Sequence, residues 1–397
     1  MKPYIFLFIA AFIVAVHTKP ASSEDFNYNI YFISNLNCET NDEKCFPQIF
    51  KMNPDGSDTT QVTHENFSYQ NLRLALNGEG LVFEISDREY VDIAYLSVKD
   101  DEVEYLTDDG GESLDYYPIF NREGTWAIYS SLKTADVDNN KYDYSLWKLD
   151  IETGKKTKLT KSNQNERFPA LSPDESEIVY LQSKNTYKKR KIYDGYIDYD
   201  YYGHYSSYNL SDDTLQYLDL ETGESGSLGD VEYGYNAPVY SPNGEYIATS
   251  IQYNEKRNEF ALMTWDGEIV ASYSPEKEWI CDNFVFTPDS NMVIFKCGKS
   301  HGEMGDKFVS TMYAMYINDG YETEPITAND IYVTHINNFA PDGNTIIFEG
   351  RPVEQYCYNI YSINIYNSEM ISLTNRKETN CSIFYYYPVA VPIAADK

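Results

Sequence analysis

The sequence predicts an all-β fold: a β-propeller of seven four-stranded blades, closed by its last strand. One observation behind this is a turn phrase that recurs along the chain. It stands at Phe339-Ala340-Pro341-Asp342-Gly343, Tyr240-Ser241-Pro242-Asn243-Gly244, Leu171-Ser172-Pro173-Asp174-Glu175 and Phe286-Thr287-Pro288-Asp289-Ser290. Weaker copies stand at Phe120-Asn121-Arg122-Glu123-Gly124 and Leu76-Asn77-Gly78-Glu79-Gly80. Proline presets φ and glycine accepts φ > 0, so a tight reversal between strands costs little there. A second observation is that no segment beyond the first turn-free apolar run sustains a helical period. Short β-branched and aromatic runs bounded by turns fill the chain instead. The third is the repeat length, about 40–50 residues, which is that of propeller blades.

Aligned on the turn, each unit holds four strands, A to D, with A before the turn and B after it. The first unit supplies B at 30–34, C at 48–52 and D around 60–63, but no A. Strand A is then expected near 72–76, 117–121, 168–172, 237–241, 282–287 and 335–340. The last D ends at Ser372-Leu373-Thr374, and one strand remains, 383–391, to serve as the missing A. Counting B–C–D sets gives seven blades. A ring closed by such a two-ended blade hides its sheet edges.

Residues 1–16 carry Lys2 and then an apolar run from Tyr4 to Val16, too short to span a membrane and suited to a signal peptide. Cleavage is expected between residues 16 and 23, leaving 24–397 as a single propeller domain without a transmembrane anchor. The expected location is secreted and extracellular. Six cysteines follow the signal, Cys38, Cys45, Cys281, Cys297, Cys357 and Cys381, and an even count in an oxidising compartment indicates disulfides. Cys281 and Cys297 lie eight residues either side of Asp289, so an A–B hairpin sets them opposite each other. Cys38–Cys45 would close a short B–C loop, and Cys357–Cys381 would brace the last blade against the closing strand. Glycosylation tripeptides begin at Asn66, Asn209 and Asn380.

A formal charge of −31, with 31 Lys+Arg, excludes nucleic acid as an expected partner, because phosphate binding needs a basic face. With 42% hydrophobic residues the chain is too apolar for a disordered acidic one. Calcium is the one cofactor left open. Asp136-Val137-Asp138-Asn139-Asn140 alternates oxygen ligands like the start of a calcium loop, but Lys141 stands where the loop glycine belongs. His64, His301 and His335 are too scattered to make a metal centre by sequence alone.

The turn phrase, the run Asn140-Lys141-Tyr142-Asp143-Tyr144-Ser145-Leu146-Trp147-Lys148-Leu149-Asp150 and the continuation Ile151-Glu152-Thr153-Gly154 resemble the TolB-like propeller repeat. That repeat also builds the propellers of prolyl-oligopeptidase-type peptidases and oligogalacturonate lyases. The resemblance covers nearly the whole chain after the signal and implies a propeller without an attached peptidase domain. TolB itself is usually six-bladed, so a count of seven departs from it. The repeat hosts unrelated functions and implies no particular activity.

The A–B and C–D turns are short, whereas the B–C and D–A connections are long: 35–46, 64–71, 108–116, 131–143, 183–213, 297–311 and 328–334. In a propeller these two sets emerge on one face, so one face is elaborated and the other trimmed. Function is expected on the elaborated loops. The largest insertion carries Tyr193, Tyr196, Tyr199, Tyr201 and Tyr202 among carboxylates, a composition suited to a contact loop. At the channel mouth, equivalent positions of strand A read Leu72, Tyr116, Arg167, Asn236, Asp282, His335 and Tyr386. The six polar ones offer convergent groups for a ligand. No Gly-x-Ser-x-Gly elbow occurs, and Gly298-Lys299-Ser300 lacks the first glycine of a phosphate loop, with Val293 in its place.

The preferred reading is a secreted, non-catalytic protein that binds an extracellular protein, peptide or glycan at this mouth. A polysaccharide lyase or hydrolase using the same mouth is the alternative. An acidic matrix component that binds calcium or mineral is the third.

Overall fold

The computed structural model describes residues 28–36, 46–75, 78–87, 90–138, 143–160, 164–183, 213–230, 234–254, 257–276, 279–299, 310–328, 330–355, 357–374 and 385–393, with the backbone alone described at 137–138, 253–254, 257 and 385–386. Seven antiparallel sheets form the ring. Blade I is made from both ends of the chain: Tyr385–Pro392 is its innermost strand, followed outward by Tyr28–Ser34, Gln48–Met52 and Thr60–Gln61. The closing pairing runs Tyr28↔Pro392 to Ser34↔Tyr385. Blades II to VII follow in chain order. Their innermost strands are Ser68–Leu74, Ser113–Phe120, Asn165–Leu171, Gly234–Tyr235 continued by Val239–Tyr240, Ile280–Phe286, and Ile331–Phe339. The closure and the count of seven are as the sequence predicts. In blades II to VII strand A begins two to four residues earlier than expected, because the polar residues ahead of each apolar run also join the ladder.

Strand B explains why the ring holds. Its two faces pack on two different blades, so it reads as a near-continuous apolar run such as Leu81-Val82-Phe83 or Val293-Ile294-Phe295. Each junction between neighbours then has its own core. Tyr129 and Ala127 of blade III join Val82 and Ile93 of blade II, while Ile128 and Leu146 join Ile178 and Leu218 of blade IV. The junction that closes the ring has the same character: Phe32, Phe50 and Met52 of blade I meet Ile347 and Ile360 of blade VII.

A threonine ends strand D in five blades, and its hydroxyl accepts a strand C backbone N–H. The bonds run Ile49 to Thr63 at 2.9 Å, Ile93 to Thr107 at 2.9 Å and Leu146 to Thr160 at 3.0 Å. Met312 to Thr327 and Ile360 to Thr374 are both 2.9 Å. The aliphatic-Thr pair at the ends of these strands is therefore a cap, with the threonine buried in four of the five.

Cys281 and Cys297 sit opposite each other in blade VI and form a disulfide, with S–S 2.05 Å and Cα–Cα 4.0 Å. Cys357 is also disulfide-bonded, to a residue outside the described ones. Cys38, Cys45, Cys381, the tyrosines at 193–202, Asn209, Asn380 and the segment proposed as a signal all lie outside the described residues. Asn66 is exposed. Among the described residues, no helix is long and apolar enough to cross a membrane.

Candidate functional site

The strand A positions fall at one level of the ring. Tyr116 pairs with Ser130, Arg167 with Leu181, Asp282 with Lys296, and His335 with Glu349, while Tyr386 pairs with Ile33. In blade V the Asn236 N–H donates to Ser250 O at 3.1 Å, the equivalent place. Blade II needs a correction. Its turn is closed by Gly78 N–H donating to Ala75 O, two residues earlier than the sequence phrase places it. Gln70, opposite Glu84, therefore stands at the ring level, and Leu72 is fully buried in the core between blades I and II.

A left-handed bulge follows immediately in five blades, at Asn71 (φ 51°), Tyr117 (55°), Phe168 (53°), Asn283 (57°) and Tyr387 (50°). Asparagine tolerates this backbone, but for an aromatic residue it costs about 1–2 kcal/mol. The bulges put neighbouring innermost strands in contact. The Tyr117 and Phe168 rings lie 4.1 Å apart between centroids, and the His335 and Tyr387 rings 5.1 Å apart. Tyr117 N–H donates to Glu84 at 2.9 Å, and Ile336 N–H donates to Asn283 Oδ1 at 3.1 Å. Sequence reasoning missed this second ring. Its only signal is position, one residue past the first.

The charged members of the first ring are paired within their own blades rather than left free. Arg167 reaches Asp213 at 3.3 Å, Asp282 meets Lys296 at 2.9 Å, and His335 Nδ1 lies 3.9 Å from Glu349. Tyr116 is buried against Tyr117 and Tyr144, with centroid distances of 5.9 and 5.8 Å. Burial pushes the Glu349 carboxyl up to about 8, against smaller opposing effects from the Thr334 hydroxyl and the Lys296 ammonium. Burial also raises Asp92 to about 7, helped by the nearby carboxylates of Asp115, Asp109 and Asp108. Tyr332 is raised to about 12, again chiefly by burial.

Buried side-chain atoms without a hydrogen-bond partner are distributed unevenly. They include Ser130 Oγ, both amide atoms of Asn165, Gln252 Oε1, Asn258 Nδ2, Trp279 Nε1 and Ser310 Oγ. Each belongs to the first half of strand A, the later half of strand B, the start of strand C or the D–A connection. Those are the ends nearest the long loops. Among the described residues, none lies at the trimmed end, where Asx contacts such as Asn344 N–H to Asp342 (2.8 Å) satisfy the turns.

Of the calcium-like stretch, Asp136 to Asp138 are described, and the rest lies outside the described residues. Thr134–Asp138 forms a single helical turn containing Asp136 and Asp138. Among the described residues, no three His, Cys, Asp or Glu side chains are grouped to hold a metal ion. His64 is exposed at the end of blade I, and His301 is outside the described residues.

The same architecture recurs in solved structures of low identity. Puromycin hydrolase matches with a TM-score of 0.61 at 10% identity, over 88% of this chain and 52% of that one. Oligogalacturonate lyase from Vibrio parahaemolyticus matches with a TM-score of 0.55 at 13% identity, over 87% and 85%. TolB from Acinetobacter baumannii matches with a TM-score of 0.48 at 12% identity, over 76% and 64%. The chain thus spans about half the length of the hydrolase and under two thirds of that TolB. No family model matches the sequence, and no curated protein matches it. The fold is a seven-bladed β-propeller, shared with the lyase and hydrolase structures.

Proposed function

We propose that the protein is a secreted, non-catalytic binding protein that holds an extracellular protein, peptide or glycan on its elaborated half. The observation that carries this reading is the placement of the unpartnered buried polar atoms, all at the loop-bearing ends of the strands. A polar group buried without a partner costs roughly 1–3 kcal/mol, so folding alone gives no reason to retain several at one end. A ligand that pairs them does. The aromatic bulge residues Tyr117, Phe168 and Tyr387 add a second cost at the same level, and strain of that kind gathers where chains bind. The Cys281–Cys297 disulfide suits an oxidising compartment, as secretion requires.

A photo-crosslinking residue placed singly at Phe168, Tyr144, Trp265 or Tyr366 tests the face. With the secreted protein in the extracellular fluid of its source cells, the first two positions should capture a discrete product. Capture from Trp265 or Tyr366 alone, both on the trimmed side and 59% and 61% exposed, would place binding on the wrong face.

A further inference from the structure

The connection from blade I to blade II, residues 64–67, is held from both sides. Gln48 Nε2 donates to Glu65 O at 2.8 Å, and the hydroxyl of Tyr105, the last residue of strand D in blade II, donates to the Glu65 carboxylate at 3.1 Å. The Phe67 and Tyr105 rings meet edge to face, 6.0 Å apart between centroids, and Phe67 packs on the core shared by blades I and II. Ser68 then opens strand A of blade II, opposite Ser86. Asn66 stands between these anchored neighbours, exposed, and among the described residues its side-chain amide enters no hydrogen bond.

Asn66-Phe67-Ser68 is an acceptor tripeptide for an N-linked sugar. Sugar is added as the chain enters the secretory compartment, so the finished fold must accommodate a bulky polar group at the modified position. Such tripeptides occur often by chance, and the fold separates those it tolerates from those it does not. A buried or bonded asparagine cannot carry the load. Asn66 can: losing one Nδ2 proton breaks no bond, and an exposed amide on a backbone pinned at Glu65 and Phe67 sends the sugar into water, where its hydroxyls stay solvated. The Cys281–Cys297 disulfide suits the same oxidising compartment.

We infer that Asn66 carries an N-linked oligosaccharide, which stands over the connection between blades I and II on the loop-bearing face. The inference rests on the reading that the chain is secreted. In the transfer, Asn66 Nδ2 bonds to the anomeric carbon of an oligosaccharide borne on a polyprenyl diphosphate. The bond from that carbon to the diphosphate oxygen breaks, the polyprenyl diphosphate leaves with the electron pair, and Nδ2 gives one proton to a base of the transferring enzyme. The sugar keeps a large partner off this sector. Of the buried polar atoms without a hydrogen-bond partner, among the described residues, none belongs to blade II and one, Gln48 Oε1, to blade I.

The test uses the full-length protein collected from the medium of its source cells. Peptide N-glycosidase acting in heavy-oxygen water should convert Asn66 to an aspartate carrying one heavy oxygen in the great majority of molecules, read by tandem mass spectrometry. Asn66→Gln and Ser68→Ala should each lose one sugar chain by mobility on a denaturing gel, and Ser68→Thr should retain it. Should a variant fail to leave the cell, the labelled wild-type peptide decides the matter. Removing the sugar from the wild-type protein should leave the Tyr144 and Phe168 crosslinks unchanged, and their loss would place the partner on the sugar and overturn the sector assigned to it. Exported protein with an unlabelled Asn66, or Asn66→Gln migrating with wild type, overturns the inference and leaves the functional reading standing. A labelled Asn66 without any crosslink sustains the inference and sinks the binding reading. If the chain is not exported, both fall.

Discussion

Glu349→Gln should remove a large part of the pH dependence of stability. Glu349 is 2% exposed, and burial raises its carboxyl from 4.5 to about 8. An acid whose folded pKa is raised stabilises the fold fully when protonated in both states, below about pH 4.5. That contribution is lost progressively as pH rises through the window from 4.5 to about 8, because the folded state must retain a proton that the unfolded state releases. At about 1.4 kcal/mol per unit, the window corresponds to a ceiling on the order of 5 kcal/mol. Glutamine keeps the shape and cannot ionise. Urea unfolding followed by fluorescence, at several pH values between about 5 and 8, should show wild type losing stability relative to Glu349→Gln with rising pH. Near pH 5 the two should be close. Asp92 titrates in the same window but is present in both proteins, so its effect cancels in the difference. Parallel curves would mean that the carboxyl has no raised pKa and that its burial between Lys296 and His335 has been misjudged.

Ending the chain before Tyr385 should leave the inner edge of Tyr28–Ser34 unpaired, giving an aggregated product with poor recovery; a truncated chain that melts with the parent would refute closure by that strand. Cys281→Ala with Cys297→Ala should cost about 3 kcal/mol, as expected for a separation of 16 residues, measured by denaturant unfolding. No loss there would mean the two strands need no crosslink for rigidity. Thr374→Val should cost about 1–3 kcal/mol by leaving the Ile360 N–H without its acceptor, and an unchanged midpoint would remove the threonine cap from the account.

Much of the architecture was legible because turns and strand alternation are local. Pro341-Asp342-Gly343 and its copies fixed where strands A and B reverse, and Cys281 and Cys297, equidistant from Asp289, read correctly as an opposed pair. The error came where the local signal was weakest. Blade II has neither proline nor aspartate in its turn, so glycine alone suggested Gly78-Glu79-Gly80, and the two-residue slip put Leu72 in place of Gln70. The site was only half legible. Residue types at the first ring could be aligned, but pairings such as Arg167–Asp213 join strands A and C across a long insertion and leave no periodic trace. The left-handed aromatics at Tyr117, Phe168 and Tyr387 contradict local preference, and such positions are set by neighbouring blades rather than by their own sequence.

The claim at the centre of this account is that the loop-bearing half binds. Its most direct test compares the affinity of the crosslinked partner, once isolated, for two double variants. Tyr116→Ala with Asp282→Asn alters the ring, and Trp265→Ser with Tyr366→Ser alters the trimmed side, each checked by melting for a retained fold. The account predicts a loss of about tenfold or more for the first pair and wild-type affinity for the second. Equal loss in both, or loss confined to Trp265 and Tyr366, would contradict it.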